Sequence, residues 1–262
     1  MENNQKLRDV SIKNEALSLG CVTENEVLFR LSLSVDHTRT ADEYALLIRD
    51  MIAFRGYAKD DFSHAMLCSV VPQLTETVKT ALEQFLEKRV FLLTGGTKTG
   101  LSILTDYPTE LGSDLVASAV GAKSVYAPPF LLVDFGTATT ICAVDKNGAF
   151  IGCAIAPGIS LSGKALSDAA ALLPDVAHRA PTRAIGKNTE ESLRSGSIFG
   201  AAAMIDGMLS RMEAEMGEEN ITVIASGKIA DAVIPHCLHR CLRNDDLLLR
   251  GLYEIDQKNK RK

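Results

Sequence analysis

The sequence predicts an α/β fold built twice over. Three observations carry this expectation. Apolar, β-rich runs alternate with amphipathic helical stretches along the 262 residues, the pattern of sheets covered by helices. A strand–turn–strand unit near the N-terminus returns in the second half of the chain. The second copy carries a loop, Asp134-Phe135-Gly136-Thr137, whose residue types suit phosphate oxygens.

Sliding the chain by 123 positions lays Val10 on Val133, Ile12 on Phe135 and Cys21 on Val144. Both copies then run into a turn, Glu24-Asn25-Glu26 in the first and Asp145-Lys146-Asn147-Gly148 in the second. The Asp-Lys-Asn-Gly run is a hairpin signal. The polar positions differ. Ser11 stands where the second copy has Asp134, and Lys13 where it has Gly136. In the second copy Gly136 permits a tight turn that would strain a residue with a Cβ. Thr137, Thr139 and Thr140 offer hydroxyls, and the turn offers backbone N–H groups to an anion. Asp134, at the end of an apolar strand, can hold a cation directly or through water. Alone the motif is short, and a bare hairpin is the other reading.

The elements follow in order. Residues 40–55 read as an amphipathic helix, with Thr40 and Glu43 as a capping box. Residues 63–71 read as a buried strand stopped by Pro72. Residues 73–89 form a helix with Leu74, Val78, Leu82 and Phe85 or Leu86 on one face. A short strand spans 90–94, a Gly/Thr-rich loop 95–110 and a helix 111–124. Ala127-Pro128-Pro129 suits a domain boundary, giving domains 1–126 and 127–262. Ala156-Pro157-Gly158 ends the second hairpin. Helices are expected near 160–173 and 189–216, a strand at 221–226, and Leu247–Tyr253 close the fold.

Composition narrows the function classes. The net charge of −5 argues against a dedicated nucleic-acid binder. No apolar run reaches the roughly 18 residues that a membrane helix needs, and the N-terminus shows no signal-peptide core, so a cytoplasmic protein is expected. Cys21, Cys68, Cys142 and Cys153 lie in strand-like runs, where cysteine packs as a small hydrophobe. The stretch from His236 to Cys241 has metal-ligating types at helical spacing. Without a second cluster, a helix end with two partly buried cysteines is the favoured reading.

The duplicated hairpin resembles the acetate-and-sugar-kinase, Hsp70 and actin superfamily, in which two ribonuclease-H-like domains hold ATP in a cleft between them. Within it, short segments in order resemble type III pantothenate kinase. They include Thr38–Tyr44, Ser69–Pro72, Lys98–Leu101, Glu110–Asp114, Val133–Thr140, Ala154–Gly158, Leu173-Pro174, Ile185–Thr189 and Ser195-Gly196. The resemblance implies transfer of the γ-phosphoryl of ATP, with Mg2+, to the primary hydroxyl of pantothenate, the first step of coenzyme A synthesis. It implies a dimer with pantothenate bound where two subunits meet. By position Asp114 matches the catalytic aspartate, with Gly112, Ser113 and Leu115 beside it on the substrate. Asp134 matches a ligand of potassium or ammonium, Gly136 and Thr137 the ATP-phosphate contacts, and Thr189 a threonine reaching pantothenate from the neighbouring subunit. Helix capping is the alternative role for both Asp114 and Thr189.

Three departures cluster on these functions. The family's first phosphate loop, D-x-G-N-T, reads Ser11-Ile12-Lys13-Asn14-Glu15 here. Ser11 and Asn14 are its remaining candidate ATP contacts, and Glu15 repels phosphate. The arginine after the catalytic aspartate, which would hold the pantothenate carboxylate, is Leu115. The adenosine loop A-T-G-G reads Ala225-Ser226-Gly227-Lys228. Phosphoryl transfer depends on positioning and charge compensation, so the chain is expected not to bind ATP competently by itself. It is expected to work with a partner, either a second copy or a second type III chain with an intact first loop. Two rival readings stand beside it: a homodimeric kinase whose substituted loop still works and which is active alone, and a non-catalytic regulator that keeps the fold.

Overall fold

The computed structural model describes residues 7–12, by their backbone, and 16–259. These form two compact units. The first gathers Met1–Leu101, Tyr107–Val125 and Asp246–Lys262, and the second Ser102–Asp106 and Tyr126–Asp245.

In the first unit, β1 (Leu7–Ile12), β2 (Ala16–Val22) and β3 (Val27–Ser34) form an antiparallel meander. After α1 (Ala41–Phe54), β4 (Ala65–Ser69) adds parallel to β1. After α2 (Pro72–Leu86), β5 (Val90–Leu92) adds parallel to β4. The sheet order is therefore β3-β2-β1-β4-β5. The expected capping box is present: Glu43 N donates to Thr40 Oγ1 at 3.3 Å, and Thr40 N donates to Glu43 Oε2 at 2.7 Å. Pro72 opens α2 instead of merely stopping β4, since a helix's first residue needs no N–H donor. Leu17, Leu19, Ile48, Ile52, Leu67, Val78 and Leu82 form the core against the helices.

The second unit repeats the plan. β7 (Phe130–Phe135), β8 (Ala138–Val144) and β9 (Ala149–Pro157) form the meander. β10 (Thr222–Ser226) pairs parallel with β7, and β11 (Cys241–Arg243) with β10. β6 (Ser102–Ile103) adds beyond β9, giving β11-β10-β7-β8-β9-β6. It lies within the stretch expected to be a loop; two residues are too few to leave a pattern. The helices are α4 (Ile159–Ala169), α5 (Thr189–Met216) and the single turn α6 (Ala230–Val233). Leu131, Val133, Ile141, Ile198, Ile205 and Leu209 pack the sheet against α5. Among the described residues no helix is long and apolar enough to cross a membrane.

The repeat seen in sequence is thus a repeat of topology, with one correction. Ile12 pairs with Leu17 and Phe135 with Thr139. Four residues (13–16) separate the first pair and three (136–138) the second. The first hairpin loop is one residue longer, so the offset falls from 123 to 122 beyond it. Val22 rather than Cys21 is the structural counterpart of Val144, since they pair with Leu7 and Phe130 respectively.

The end of the chain belongs to the first unit, whereas a cut at 126/127 assigns it to the second. After α3 (Ser113–Val125), α7 (Leu247–Asn259) returns to lie along it. Arg250 Nη1 donates to the carbonyls of Thr23 at 3.2 Å and Glu24 at 2.9 Å, and Nη2 to that of Asn25. His64 Nε2 lies 2.7 Å from Asp256 Oδ1. These contacts are distant in sequence and leave no local signal. The His236–Cys241 stretch follows a helix end, and Cys237 and Cys241 are partly buried as expected. A 3-10 turn, Ile234–His236, leads through a loop into β11 at Cys241.

Candidate active site

In the second unit the candidate phosphate loop is the turn between β7 and β8. The β7 apolar run is buried on both faces until Asp134, which is half-buried. Ser226, at the end of the parallel neighbour β10, donates from Oγ to Asp134 Oδ1 at 2.7 Å. A Cβ at Gly136 would lie 3.2 Å from Asp134 Oδ2, so a side chain there would crowd the carboxylate. Across the turn, a Cβ at Gly158 would lie 2.3 Å from Gly136 O and 2.4 Å from Thr137 O. Glycine at 158 therefore lets the loop close, and Gly158 N donates to Thr137 O at 3.0 Å.

A second turn, Ser226–Lys228, abuts the first. Gly227 has a φ of +105° and a Cβ there would lie 2.4 Å from Phe135 O. Arg243, at the end of β11, clamps this turn. Its Nη2 donates to Gly227 O at 2.8 Å and its Nη1 to Ala225 O at 3.3 Å, while its Nε lies 2.9 Å from Asp231 Oδ1. Asp245 accepts from Gly227 N at 3.0 Å and also pairs with Arg243. Burial opposes the Arg243 charge, but Asp231 and Asp245 outweigh it and raise its pKa. Sequence reasoning missed this clamp; charged residues around a short strand are a common surface pattern until the turn they grip is seen.

Thr140 pairs with Asp134 across β7 and β8 and so shares its face. Its Oγ1, like that of Thr139, is buried without a hydrogen-bond partner. A buried hydroxyl without a partner costs about 1–3 kcal/mol. Asp134 and Thr140 thus put a carboxylate and an unsatisfied hydroxyl oxygen on one face of the sheet.

In the first unit Asp114 sits in the first turn of α3, where the helix dipole favours a carboxylate. It stands one residue inside the helix rather than at the N-cap, and its Oδ1 accepts from Leu115 N at 2.9 Å. Gly112 O begins the helical bonding by accepting from Leu115 N at 3.1 Å and Val116 N at 3.2 Å. Ser113 ties the helix start to β4, donating to Ser69 O at 3.1 Å with Cys68 Sγ also 3.1 Å away. A Cβ at Gly112 would lie 2.7 Å from Asp114 Oδ1, so glycine makes room for the carboxylate. Leu115 follows, half-buried. Thr189 opens α5, but Asn188 is the cap, its Oδ1 accepting from Glu191 N at 2.8 Å. The Thr189 side chain is exposed. Ser11 lies in β1, paired with Ser18 and Cys68. Asn14, with Lys13 and Glu15, lies outside the described residues.

The sequence pattern of type III pantothenate kinases matches residues 10–211. The chain belongs to the type III pantothenate kinase family. A type III pantothenate kinase of Acidobacterium capsulatum is 38% identical over 88% of this chain and 85% of its own length. That of Exiguobacterium sibiricum is 35% identical over 96% and 98%. Among solved structures, one titled a conserved putative Baf family transcriptional activator from Campylobacter jejuni aligns with a TM-score of 0.58. It has 18% identity and covers 97% of this chain and 98% of its own. An inorganic polyphosphate/ATP-glucomannokinase from Arthrobacter aligns at 0.52, with 14% identity, covering 98% and 100%. At those identities the structures speak for the fold alone, and the fold is the actin-like duplication expected from the repeated hairpin.

The remaining motif residues of this family member buttress the approach to Thr189. Ser195 Oγ donates to Ala184 O at 2.5 Å, Lys187 N donates to Glu191 Oε2 at 3.0 Å, and Gly186 packs where a Cβ would lie 2.4 Å from Ser192 N. Within 236–241, His239 serves a different end. His239 Nδ1 lies 2.8 Å from Asp206 Oδ1, and its Nε2 3.3 Å from Glu213 Oε2, anchoring the loop to α5.

Proposed function

We propose that this chain takes part in the ATP-dependent phosphorylation of pantothenate as one subunit of a two-chain kinase. The observation that carries this reading is an asymmetry between the two hairpin loops. The second keeps Asp134, Gly136 and Thr137, braced by Ser226, Gly158 and Gly227. The first replaces aspartate, glycine and threonine with Ser11, Lys13 and Glu15. The companion is a second type III pantothenate kinase chain whose first loop reads D-x-G-N-T.

In the reaction, Mg2+ bound with ATP would neutralise charge that develops on the transferred group. Asp134 and Thr140 would provide oxygen ligands for potassium or ammonium, and Thr137 would offer its hydroxyl and backbone N–H to phosphate oxygens, since Gly136 N is held by Ala138 O at 3.1 Å. A carboxylate at the position of Asp114 accepts the proton of the substrate hydroxyl and orients its oxygen for in-line attack. In the two-chain kinase the companion provides that base together with the complete nucleotide cradle, and this chain contributes exposed Thr189. Leu115 offers no charge to the pantothenate carboxylate, a loss of about 1.5–3 kcal/mol for a charge-assisted contact. With about tenfold in rate for each 1.4 kcal/mol, this chain's own site is left orders of magnitude short. The reaction belongs to the cytoplasm on this reading.

The test is to assay the purified chain alone and mixed with such a companion, with nucleotide binding followed by calorimetry. Expected are weak ATP binding and little turnover alone, and a gain on mixing that Thr189→Ala removes. Tight ATP binding with full turnover of the lone chain selects a kinase active by itself. No activity in either arm selects a regulator that keeps the fold.

A further inference from the structure

Cys142 in β8 and Cys153 in β9 stand directly opposite one another in an antiparallel pair. Backbone hydrogen bonds determine the kind of pair. Gly158 N donates to Thr137 O, so that position is hydrogen-bonded. Bonded and open positions alternate along an antiparallel ladder. Counting through Ala138–Pro157, Thr139–Ala156, Thr140–Ile155 and Ile141–Ala154 makes Cys142–Cys153 an open position. The β7 side agrees. Gly136 N donates to Ala138 O, and counting from there makes Leu132–Cys142 a bonded pair. The backbone groups of Cys142 thus point to β7 and away from β9.

Open positions bring opposed Cα atoms to about 4.5 Å, with the side chains at their closest. A disulfide accepts Cα separations of roughly 4.4–6.8 Å, so this pair needs no backbone rearrangement. A hydrogen bond from Cys142 holds the Cys153 thiol down to about 7, against the upward push of burial. Cys153 is exposed, contrary to the packing role expected of it, and Cys142 lies buried beneath. A reagent meets Cys153 first, and a resolving thiol waits behind it. Cys142 also shares its face of β8 with Thr140, the partner of Asp134.

We propose that Cys142 and Cys153 form a reversible disulfide, a redox modification site that ties β8 to β9 one pleat from the Asp134 loop. The oxidant is a low-molecular-weight disulfide, RSSR. The Cys153 thiolate attacks one of its sulfurs; the S–S bond breaks, RS⁻ leaves, and Cys153 becomes a mixed disulfide. Cys142 gives its proton to water, and its sulfur attacks the Cys153 sulfur and expels the second RS⁻. The protein dithiol loses two electrons and two protons, and RSSR is reduced to two RSH. The site does not depend on the catalytic arrangement proposed above.

The test is to treat the full-length chain with oxidised glutathione at pH 7, block remaining thiols with iodoacetamide, and map the peptides by mass. The expected product links Cys142 to Cys153, weighs less by two hydrogen atoms, and is reversed by dithiothreitol. Cys142→Ala should stop at a glutathione adduct on Cys153. That adduct should form about three- to fourfold more slowly than Cys153 reacts in the unaltered chain, as the thiolate fraction falls and nucleophilicity rises only partly in return. Cys237 and Cys241, the other thiols in contact, provide an internal reference. The proposal is overturned if Cys153 in the unaltered chain keeps its glutathione, is recovered alkylated, or is linked to any cysteine other than Cys142.

Discussion

Gly121→Ala sets two effects of opposite sign against each other. Gly121 lies within α3, where alanine is intrinsically favoured over glycine by about 1 kcal/mol. A Cβ there would lie 1.8 Å from Leu247 O and 2.8 Å from Gly251 N on α7. The contact is reciprocal, since a Cβ on Gly251 would lie 1.7 Å from Ala117 O. Both obstacles are backbone, so relief requires the helices to part by about an ångström or more. A gap of roughly 0.5–1 Å forfeits a quarter to a half of each contact. On α7, Leu247, Leu249, Leu252 and Ile255 are buried, each stabilising by about 1.5–3 kcal/mol. Losing a quarter of that is about 1.5–3 kcal/mol, which exceeds the propensity gain. A net destabilisation of about 0.5–2 kcal/mol lowers the melting temperature by roughly 1–8 °C. Urea and thermal melts followed by circular dichroism measure it. Gly95→Ala, where no atom lies within 4 Å, is the control and should leave the transition in place. A Gly121→Ala protein melting at or above the unaltered chain would refute the argument, because propensity alone would then decide.

Other predictions follow from single contacts. Thr40→Ala removes the cap of α1 and should lower the urea midpoint by an amount equivalent to about 1 kcal/mol. Gly158→Ala pushes a methyl group into the Gly136 and Thr137 carbonyls; it should weaken any nucleotide binding seen in the two-chain assay beyond its effect on the melt. Arg243→Ala should destabilise by about 1–3 kcal/mol, and Arg243→Lys should recover less than half, because an ammonium lacks the planar fork that reaches Gly227 O, Ala225 O and Asp231 together. Burial works against a charge on His239, but the carboxylates of Asp206 and Glu213 prevail and raise its pKa. The stability this contributes is fully present below the unfolded pKa of about 6.5 and is lost as pH rises through the raised folded value. A urea-midpoint profile across that window should fall in the unaltered chain and flatten in His239→Gln.

Several elements were legible because their signals are local. The Thr40/Glu43 box, the apolar face of α2 and the Asp145–Gly148 turn are set by neighbours three or four residues away. The turn forms as expected, with Gly148 at φ +74° and Asp145 Oδ1 accepting from Asn147 N at 3.0 Å and Ala149 N at 2.8 Å. The capping role that was the alternative for Thr189 falls to Asn188. Asn188 and Thr189 are both capping types, and only the backbone turn decides which faces the open N–H groups. β6 and the grip of α7 on the first unit were invisible, since each is defined by a partner far along the chain.

For the site, sequence alone determined the chemistry: which residue types stand in the two hairpin loops, that one has lost its acid, glycine and threonine, and that Leu115 follows Asp114. These are matters of identity, and order along the chain is enough to read them. Tertiary structure alone decided which groups share a space. It set Ser226 on Asp134, closed the loop over Gly158, aimed Arg243 at the turn of Gly227 and laid Cys153 over Cys142. Each of these joins strands or turns that are apart in sequence, and sheet register, which counts backbone hydrogen bonds across the ladder, fixes their meeting.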